Sequence, residues 1–180
     1  MSRKLLTAAI AVFVLPFVSA SAQVGVGVAA GVSAPLGDFG KVAKSGYHVT
    51  GLLALRAPLA PVGGRVEGSF SEFKYKGVTN GAKARILSAT ANAVFSAPGI
   101  VGPYLIGGVG IYHATAECSS CNSSSTKVGF NGGGGVKVGL GGLSVFVEAR
   151  YHYIPGASDP TTGGVKSSTQ FIPVSLGLTF

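Results

Sequence analysis

The sequence predicts an all-β fold in which eight antiparallel strands close into a membrane-spanning barrel. The composition combines 47% hydrophobic residues with only 11% charged residues and a mean hydropathy of +0.48, which is more apolar than an ordinary soluble domain. After residue 18 there is no apolar run of the roughly 20 residues that a membrane-spanning helix needs. The chain instead alternates apolar with small or polar residues at a period of two, which is the pattern of strands. Strands in lipid must close into a barrel, because an open edge would leave backbone groups without hydrogen bonds.

The N-terminus predicts a cleaved signal peptide over residues 1–22. Arg3 and Lys4 form a short basic region, an apolar run follows over residues 5–18, and Ala20-Ser21-Ala22 is a small-residue cleavage site. The alternative is a transmembrane anchor, but the run is shorter than the roughly 20 residues of such a helix. We therefore expect cleavage before Gln23 and a single barrel domain over residues 23–180.

The first four strands each show one apolar face and one small or polar face. They are predicted over residues 24–33, 49–57, 65–71 and 87–95. In the second strand, Arg56 marks the inner face, because an arginine facing lipid near mid-depth costs about 2–4 kcal/mol. In the third, Arg65 and Glu67 lie opposite an apolar face that ends at Phe70. In the fourth, serine, threonine and asparagine alternate with leucine, alanine and phenylalanine.

The last four strands are predicted over residues 104–114, 127–140, 143–153 and 170–180. The fifth is apolar on both faces, so its alternation does not assign an inner side. The sixth has a glycine-rich inner face, and the seventh sets Glu148 and Arg150 against an apolar outer face. The eighth alternates strictly up to Phe180, although Pro173 removes one ladder donor and is expected to form a local bulge.

The terminal strand and two short patterns resemble the small outer-membrane β-barrels, such as the barrel domain of outer membrane protein A. The patterns are Leu178-Thr179-Phe180 and Val147-Glu148-Ala149-Arg150-Tyr151. The resemblance implies the outer membrane of a Gram-negative-type bacterium, contact with lipid and lipopolysaccharide, and a monomer without nucleic-acid partners. It also implies that Phe180 is the signal for the barrel-assembly machinery, with periplasmic chaperones assisting biogenesis.

Long and short connections alternate along the chain. Long polar loops are predicted around residues 36–46, 74–83, 116–126 and 155–167, and short turns at 58–62, 98–102 and 141–142. In outer-membrane barrels the long loops face the exterior and the short turns the periplasm. An even number of strands therefore places both termini on the periplasmic side.

Six charged residues have inward parity. They are Arg56, Arg65, Glu67, Lys137, Glu148 and Arg150. A charge left unpaired in a narrow interior costs on the order of 3–5 kcal/mol, so we expect one cross-barrel network that closes the barrel to ions. Its surplus of basic residues requires acceptors, for which Asn92 and Asn131 are candidates.

Four cations share the outward parity just above the apolar band. They are Lys74, Lys76, Lys83 and Arg85. Lysine and arginine bind phosphate, so these residues are candidates for contacts with lipopolysaccharide. The alternative is a solvated hairpin tip, whose exposed ion pairs contribute about 0–1 kcal/mol each.

Cys118 and Cys121 are the two cysteines and lie in a predicted outer loop, where an oxidising environment favours a loop disulfide. The alternatives are a redox pair, which is expected at a helix N-terminus, and a zinc site, which needs two further ligands.

The glycine run over residues 132–135 matches neither the G-x-G-x-x-G nor the G-x-x-x-x-G-K-[ST] spacing of nucleotide-binding loops. We therefore expect no cofactor and no metal.

His48, His113 and His152 are predicted near the outer strand ends as ordinary rim residues. The alternative is a catalytic histidine as in the outer-membrane lipid A deacylase, but the His-x-Ser arrangement of that family is absent. We therefore expect a structural or surface-interaction protein, in adhesion or envelope integrity, without catalysis. A narrow channel for small or apolar solutes and a lipid A-modifying enzyme are the alternatives.

Overall fold

The fold is given by a computed structural model that describes residues 23–56, 61–77, 82–118, 121–156 and 168–180. The predicted signal peptide lies outside these residues. The elements are β1 Gln23–Leu36, α1 Gly37–Val42, β2 Gly46–Arg56, β3 Val62–Lys74, β4 Lys83–Ser96, β5 Val101–Cys118, β6 Cys121–Gly139, β7 Ser144–Ile154 and β8 Thr169–Thr179. No helix among the described residues is long and apolar enough to cross a membrane.

The eight strands form a closed antiparallel barrel, as predicted. Each strand pairs with the next, and β8 pairs with β1 to complete the ring. Val26 and Phe180 exchange two backbone hydrogen bonds, at 2.8 and 3.2 Å, where the last residue meets the first strand. This closure leaves no free edge along the paired part of β1 and β8.

The predicted alternation is present in the barrel wall. Outward residues such as Val24 and Leu105 are 62% and 66% exposed, while inward residues such as Leu52 and Phe146 are buried. On β5, Tyr104, Ile106 and Tyr112 are buried, which assigns the face that the sequence left open. An exposed apolar band of this kind belongs in lipid.

Glycines on the inner wall make room for large neighbours. A Cβ at Gly135 would lie 2.8 Å from the Tyr104 hydroxyl, and a Cβ at Gly177 would overlap the Phe146 ring. An eight-stranded barrel is only wide enough to be filled by side chains. Small residues beside large ones therefore allow the interior to close.

The interior has three layers. A loop-side apolar cluster comprises Ala43, Phe73, Ala84, Ile86, Tyr112, Ile154 and Phe171. A turn-side apolar cluster comprises Ala29, Leu52, Ala54, Tyr104, Ile106 and Phe146. Along β7 the inward positions run from Phe146 through Glu148, Arg150 and His152 to Ile154, so a polar layer separates the two clusters.

Three local predictions are wrong. The first long loop contains α1, whose Phe39 packs edge-on against Phe73 at 5.0 Å between ring centroids. The loop predicted over residues 116–126 is instead a continuation of β5 and β6, because their backbones stay in register up to Cys118 and Cys121. Pro173 interrupts the ladder to β7 but forms no bulge, since the pairing register is the same on both sides of it.

Candidate functional site

Two arginines and two glutamates form the interior charge cluster, which comprises Arg65, Glu67, Glu148 and Arg150. Each side chain is no more than 8% exposed. Arg65 on β3 reaches Glu148 on β7, and Arg150 on β7 reaches Glu67 on β3, so both ion pairs cross the barrel. Arg65 Nε also lies 2.8 Å from Glu67 Oε1, and Arg150 Nε donates to Glu148 Oε1 at 2.9 Å. Each charge therefore contacts both opposite charges, and the cluster is neutral.

Residues of β4 and β5 supply further donors to both carboxylates. Thr90 Oγ1 and Asn92 Nδ2 donate to Glu67 Oε2 at 3.2 and 3.1 Å. Tyr104 Oη donates to Glu148 Oε2 at 2.8 Å. Buried carboxylates are costly unless their oxygens are hydrogen-bonded, so these donors stabilise the charged cluster. Asn92, which was expected to accept a hydrogen bond, acts here as a donor.

Arg65 joins the charge cluster to the turn-side apolar cluster. Its guanidinium carbon lies 5.9 Å from the centroid of the Tyr104 ring and 5.6 Å from that of Phe146. Both distances are within the reach of about 6 Å at which a cation is attracted to a ring face. The two aromatic rings therefore stabilise the guanidinium from the turn side of the barrel.

Arg56 and Lys137 share the inward parity but lie outside the interior charge cluster. Arg56 is exposed at the turn end of β2, and Lys137 is only partly buried. Among the described residues, neither makes an ion pair with a carboxylate. The prediction of a six-residue network is wrong for these two, because the barrel mouth solvates their charges. The two basic residues in excess, Arg56 and Lys137, therefore add no unpaired charge to the interior charge cluster.

His48 is buried inside the barrel rather than at its rim. Its side chain is 3% exposed, and its two ring nitrogens lie 3.0 Å from Ser33 Oγ and 2.8 Å from Ser175 Oγ. The rim prediction is wrong here because inward parity places the ring below α1 and the loop-side apolar cluster. The two hydroxyls link β1, β2 and β8 across the point where the barrel closes.

A column of aromatic rings connects the polar layer to α1. The ring of His152, which is also buried rather than rim-exposed, stacks on Phe171 at 4.9 Å, and Phe171 packs against Phe73 at 5.7 Å. Phe73 in turn meets Phe39 of α1. Tyr112 Oη lies 2.9 Å from His152 Nδ1 and holds the lower end of the column. The loop between β1 and β2 is thereby packed against the aromatic column at the loop end of the barrel.

Among the described residues, a small cavity lies in the polar layer. A cavity of about 20 Å³ is lined by His48, Arg150 and His152 with neighbouring serines and threonines. A single water needs about 10–15 Å³. The cavity therefore has room for one water.

On the outer face, Glu72, Lys83, Arg85 and Glu117 form the outer ion-pair cluster. Glu72 contacts Lys83 Nζ at 2.8 Å and Arg85 Nε at 3.0 Å, and Arg85 Nη1 reaches Glu117 at 2.6 Å. Lys74 is exposed and stands directly opposite Lys83 in the strand register. The structure thus brings together three of the four predicted lipopolysaccharide contacts, two of them already paired with carboxylates.

Lys76, the fourth of these cations, holds α1 in place. Its Nζ donates to the carbonyl oxygen of Gly40 at 2.6 Å, and its backbone N–H donates to Val42 at 2.8 Å. In α1 itself, Lys41 Nζ donates to Asp38 at 2.8 Å, and this contact raises the pKa of the Lys41 ammonium. The β3–β4 hairpin is therefore hydrogen-bonded to the loop between β1 and β2.

His113 is the histidine that faces outward. Its Nδ1 lies 2.8 Å from Thr126 Oγ1 in an exposed position. A hydrolytic triad needs a third group to orient the base. Among the described hydrogen bonds none joins a carboxylate to His113, so the geometry provides a hydroxyl and an imidazole only.

Cys118 and Cys121 face each other in register at the end of the β5–β6 hairpin. Directly opposite residues have Cα atoms about 4.5–5.5 Å apart, which suits a disulfide. Their side chains lie outside the described part of the structure, so the disulfide stays a prediction.

Sequence reasoning missed Tyr104, His48 and Glu72 as bonding partners. Tyr104 lies in the strand with two apolar faces, so parity did not assign its side chain to the interior. The glycine that makes room for its ring, Gly135, is on the next strand. Glu72 shares the outward parity of Lys74, but the structure covers it with the basic side chains of β4. No group of three or more metal-ligating side chains occurs in the described residues.

The chain is similar to known membrane barrels over nearly all its length. A family model described as the outer membrane protein beta-barrel domain matches residues 5–180. No curated protein sequence matches significantly. Neisserial surface protein A has a similar structure, with 16% identity and a TM-score of 0.64 over 88% of this chain and 97% of that one.

Two further solved structures show the same fold. The attachment invasion locus protein Ail of Yersinia pestis, solved with the heparin analogue sucrose octasulfate, has 16% identity and a TM-score of 0.55 over 88% of this chain and 99% of that one. The outer membrane enzyme PagL has 20% identity and a TM-score of 0.50 over 87% of this chain and 98% of that one.

Proposed function

The chain belongs to the outer membrane protein β-barrel domain family, and from that membership we propose that it is a non-catalytic, non-conducting barrel with a surface-interaction role at its loop end. In this proposal the protein is a monomer with both termini in the periplasm. Phe180 is the signal that the barrel-assembly machinery recognises.

The layered interior carries the proposal that solutes do not pass. The interior charge cluster fills the polar layer with paired groups, and an apolar cluster lies on either side of it. An ion crossing this interior would have to separate buried ion pairs and then pass an apolar layer without water. Both steps are costly because charge is poorly solvated there.

The loop end carries the proposal of surface interaction. α1, the outer ion-pair cluster and the extended β5–β6 hairpin all lie at this end, and five basic residues of the first two loops are found there: Lys41, Lys44, Lys74, Lys76 and Lys83. A surface rich in lysine favours anionic partners. Sulfated and phosphorylated glycans are therefore the first ligands to test.

Reconstitution in a planar bilayer tests the closed interior. We expect no stepwise current from the wild-type protein, whereas steady single-channel conductance would favour the narrow channel. Immobilised protein probed with heparin, lipopolysaccharide and a neutral dextran tests the surface role. Binding of no anionic glycan above the dextran background would contradict that role.

The enzyme alternative has a direct assay, and PagL shows that this fold can support catalysis. Incubation of the protein with outer-membrane vesicles should leave the mass of lipid A unchanged. A loss of one acyl chain that Thr126→Val abolishes would show instead that the Thr126 and His113 pair is catalytic.

A further inference from the structure

The outer face of the barrel carries an apolar groove of about 720 Å³. Its floor is Gly51 and Gly68, which stand opposite each other in register on β2 and β3. A Cβ at either glycine would meet nothing within 4 Å, so the space above both is open. The side walls include Val28, Val49, Phe70, Leu87, Leu176 and Leu178. This volume lies within the range of about 300–1,000 Å³ that small-molecule sites occupy.

The groove runs across the apolar band, from Val145 and Leu178 near the turn end to Phe70 and Leu87 on the loop side. On β3, the outward position above Gly68 is Phe70, and the next two are Glu72 and Lys74. On β4, Arg85 lies one outward position above Leu87. The groove therefore ends directly below the outer ion-pair cluster, and an apolar chain lying in it would extend toward those charges.

The charges above the groove favour an anion. Lys74, Lys83 and Arg85 face two carboxylates, those of Glu72 and Glu117, which leaves one positive charge in excess. Lys74 and Lys83 are also directly opposite each other in the ladder, an arrangement of like charges that destabilises a strand pair. A phosphate placed between the two ammonium groups would replace that repulsion with two charge-assisted contacts.

We propose that the groove and these cations form one binding site for a phosphorylated, multiply acylated glycolipid of the lipid A class. An acyl chain lies over Gly51 and Gly68, and a phosphate is held between Lys74 and Lys83. The inference goes beyond the proposed function and rests only on its orientation, with the loop end in the outer leaflet. Lipid A has both features that the site requires, an acyl chain for the groove and a phosphate at the level of the cations.

Filling the groove tests the acyl-chain contact. Gly51→Val with Gly68→Val places side chains in the open space, and β-branched residues suit strands, so the barrel should fold. The matched control is Gly107→Val with Gly132→Val, a second outward glycine pair in register, on β5 and β6. Native mass spectrometry of the protein in detergent with added lipid A should show the adduct for wild type and control and its loss for the filled variant.

Removing charge tests the phosphate contact. Lys74→Gln with Lys83→Gln should weaken the binding of lipid A by about fivefold for each ammonium group removed. Arg56→Gln, which removes an exposed cation at the turn end of β2, should leave it unchanged. The heat-dependent gel shift of each variant verifies that the barrel is folded.

Three results would overturn the site. Undiminished lipid A binding by the filled variant would show that the groove is not used. Equal binding of phosphatidylglycerol would show that the site does not select lipid A. A wild-type dimer that the filled variant dissociates would assign the groove to a second copy of the chain. Conductance and the binding of heparin, which has no acyl chain, test the proposed function without this groove, so the inference and the proposed function fail separately.

Discussion

Arg150 and Glu67 are 83 positions apart in the sequence and bond across the barrel interior, with Arg150 Nη2 2.9 Å from Glu67 Oε1. They belong to β7 and β3, which are four strands apart in the ring. The two side chains can meet only when the sheet has curled far enough to face itself. This ion pair therefore couples the closure of the barrel to the satisfaction of its buried charges.

Removing the Glu67 carboxylate should strongly destabilise the barrel. Glu67→Gln leaves Arg150 with half of its ionic contacts, and breaking a buried pair costs about 3–5 kcal/mol. Glu117→Gln, in a partly exposed pair, should cost no more than about 1 kcal/mol. Urea unfolding in lipid vesicles measures both, and the proposal fails if the two variants unfold at the same urea concentration.

Losing the charges should not by itself make the barrel conduct. In Glu67→Ala with Glu148→Ala, the loop-side and turn-side apolar clusters remain and still exclude hydrated ions. We expect no current through planar bilayers that contain this variant. Leak currents should appear once Phe146→Ala and Phe73→Ala are added. Currents from the charge variant alone would show that the charge cluster is the barrier.

Gly135→Ala should destabilise the barrel, because the new methyl group would meet the Tyr104 ring and the neighbouring backbone. Overpacking of this kind costs about 1–3 kcal/mol. Gly132→Ala on the same strand faces outward, and its Cβ would meet only Ile106 O at 3.9 Å. The temperature at which the gel shift disappears should fall for Gly135→Ala alone, and an equal fall in both would refute the packing argument.

Phe39→Ala should release α1 while the barrel stays folded. The ring is the point at which this short helix contacts the aromatic column, whereas Val42, which is 50% exposed, contributes little. Hydrogen exchange of residues 37–43 should accelerate in Phe39→Ala and not in Val42→Ala. Unchanged exchange in both would show that Lys76 is sufficient to hold the helix.

Oxidised protein should contain a bond between Cys118 and Cys121. Its intact mass should rise by two hydrogens on reduction, and Cys118→Ser should abolish that rise. The register of the hairpin sets the two residues directly opposite each other. Equal masses before and after reduction would mean that both thiols are free.

The sequence predicted the wall of the barrel better than its interior. Strand number, order and parity follow from an alternation that each strand carries within itself, from Val24 on β1 to Phe180. Loop structure was less predictable, since α1 forms through contacts of Phe39 and Gly40 with residues more than thirty positions away. For the same reason, His48 was assigned to the rim although it is buried beneath that loop.

By itself the sequence determined an eight-stranded barrel with six inward charges of both signs, because the period of two in each strand assigns each side chain to lipid or interior. Only the tertiary structure decided which charges meet. Arg65 joins Glu148 and Arg150 joins Glu67 because closure sets β3 opposite β7, whereas Arg56 and Lys137 share the same parity but end at the solvated mouth. Parity is a property of one strand, while contact across the interior depends on how far along the barrel each residue lies.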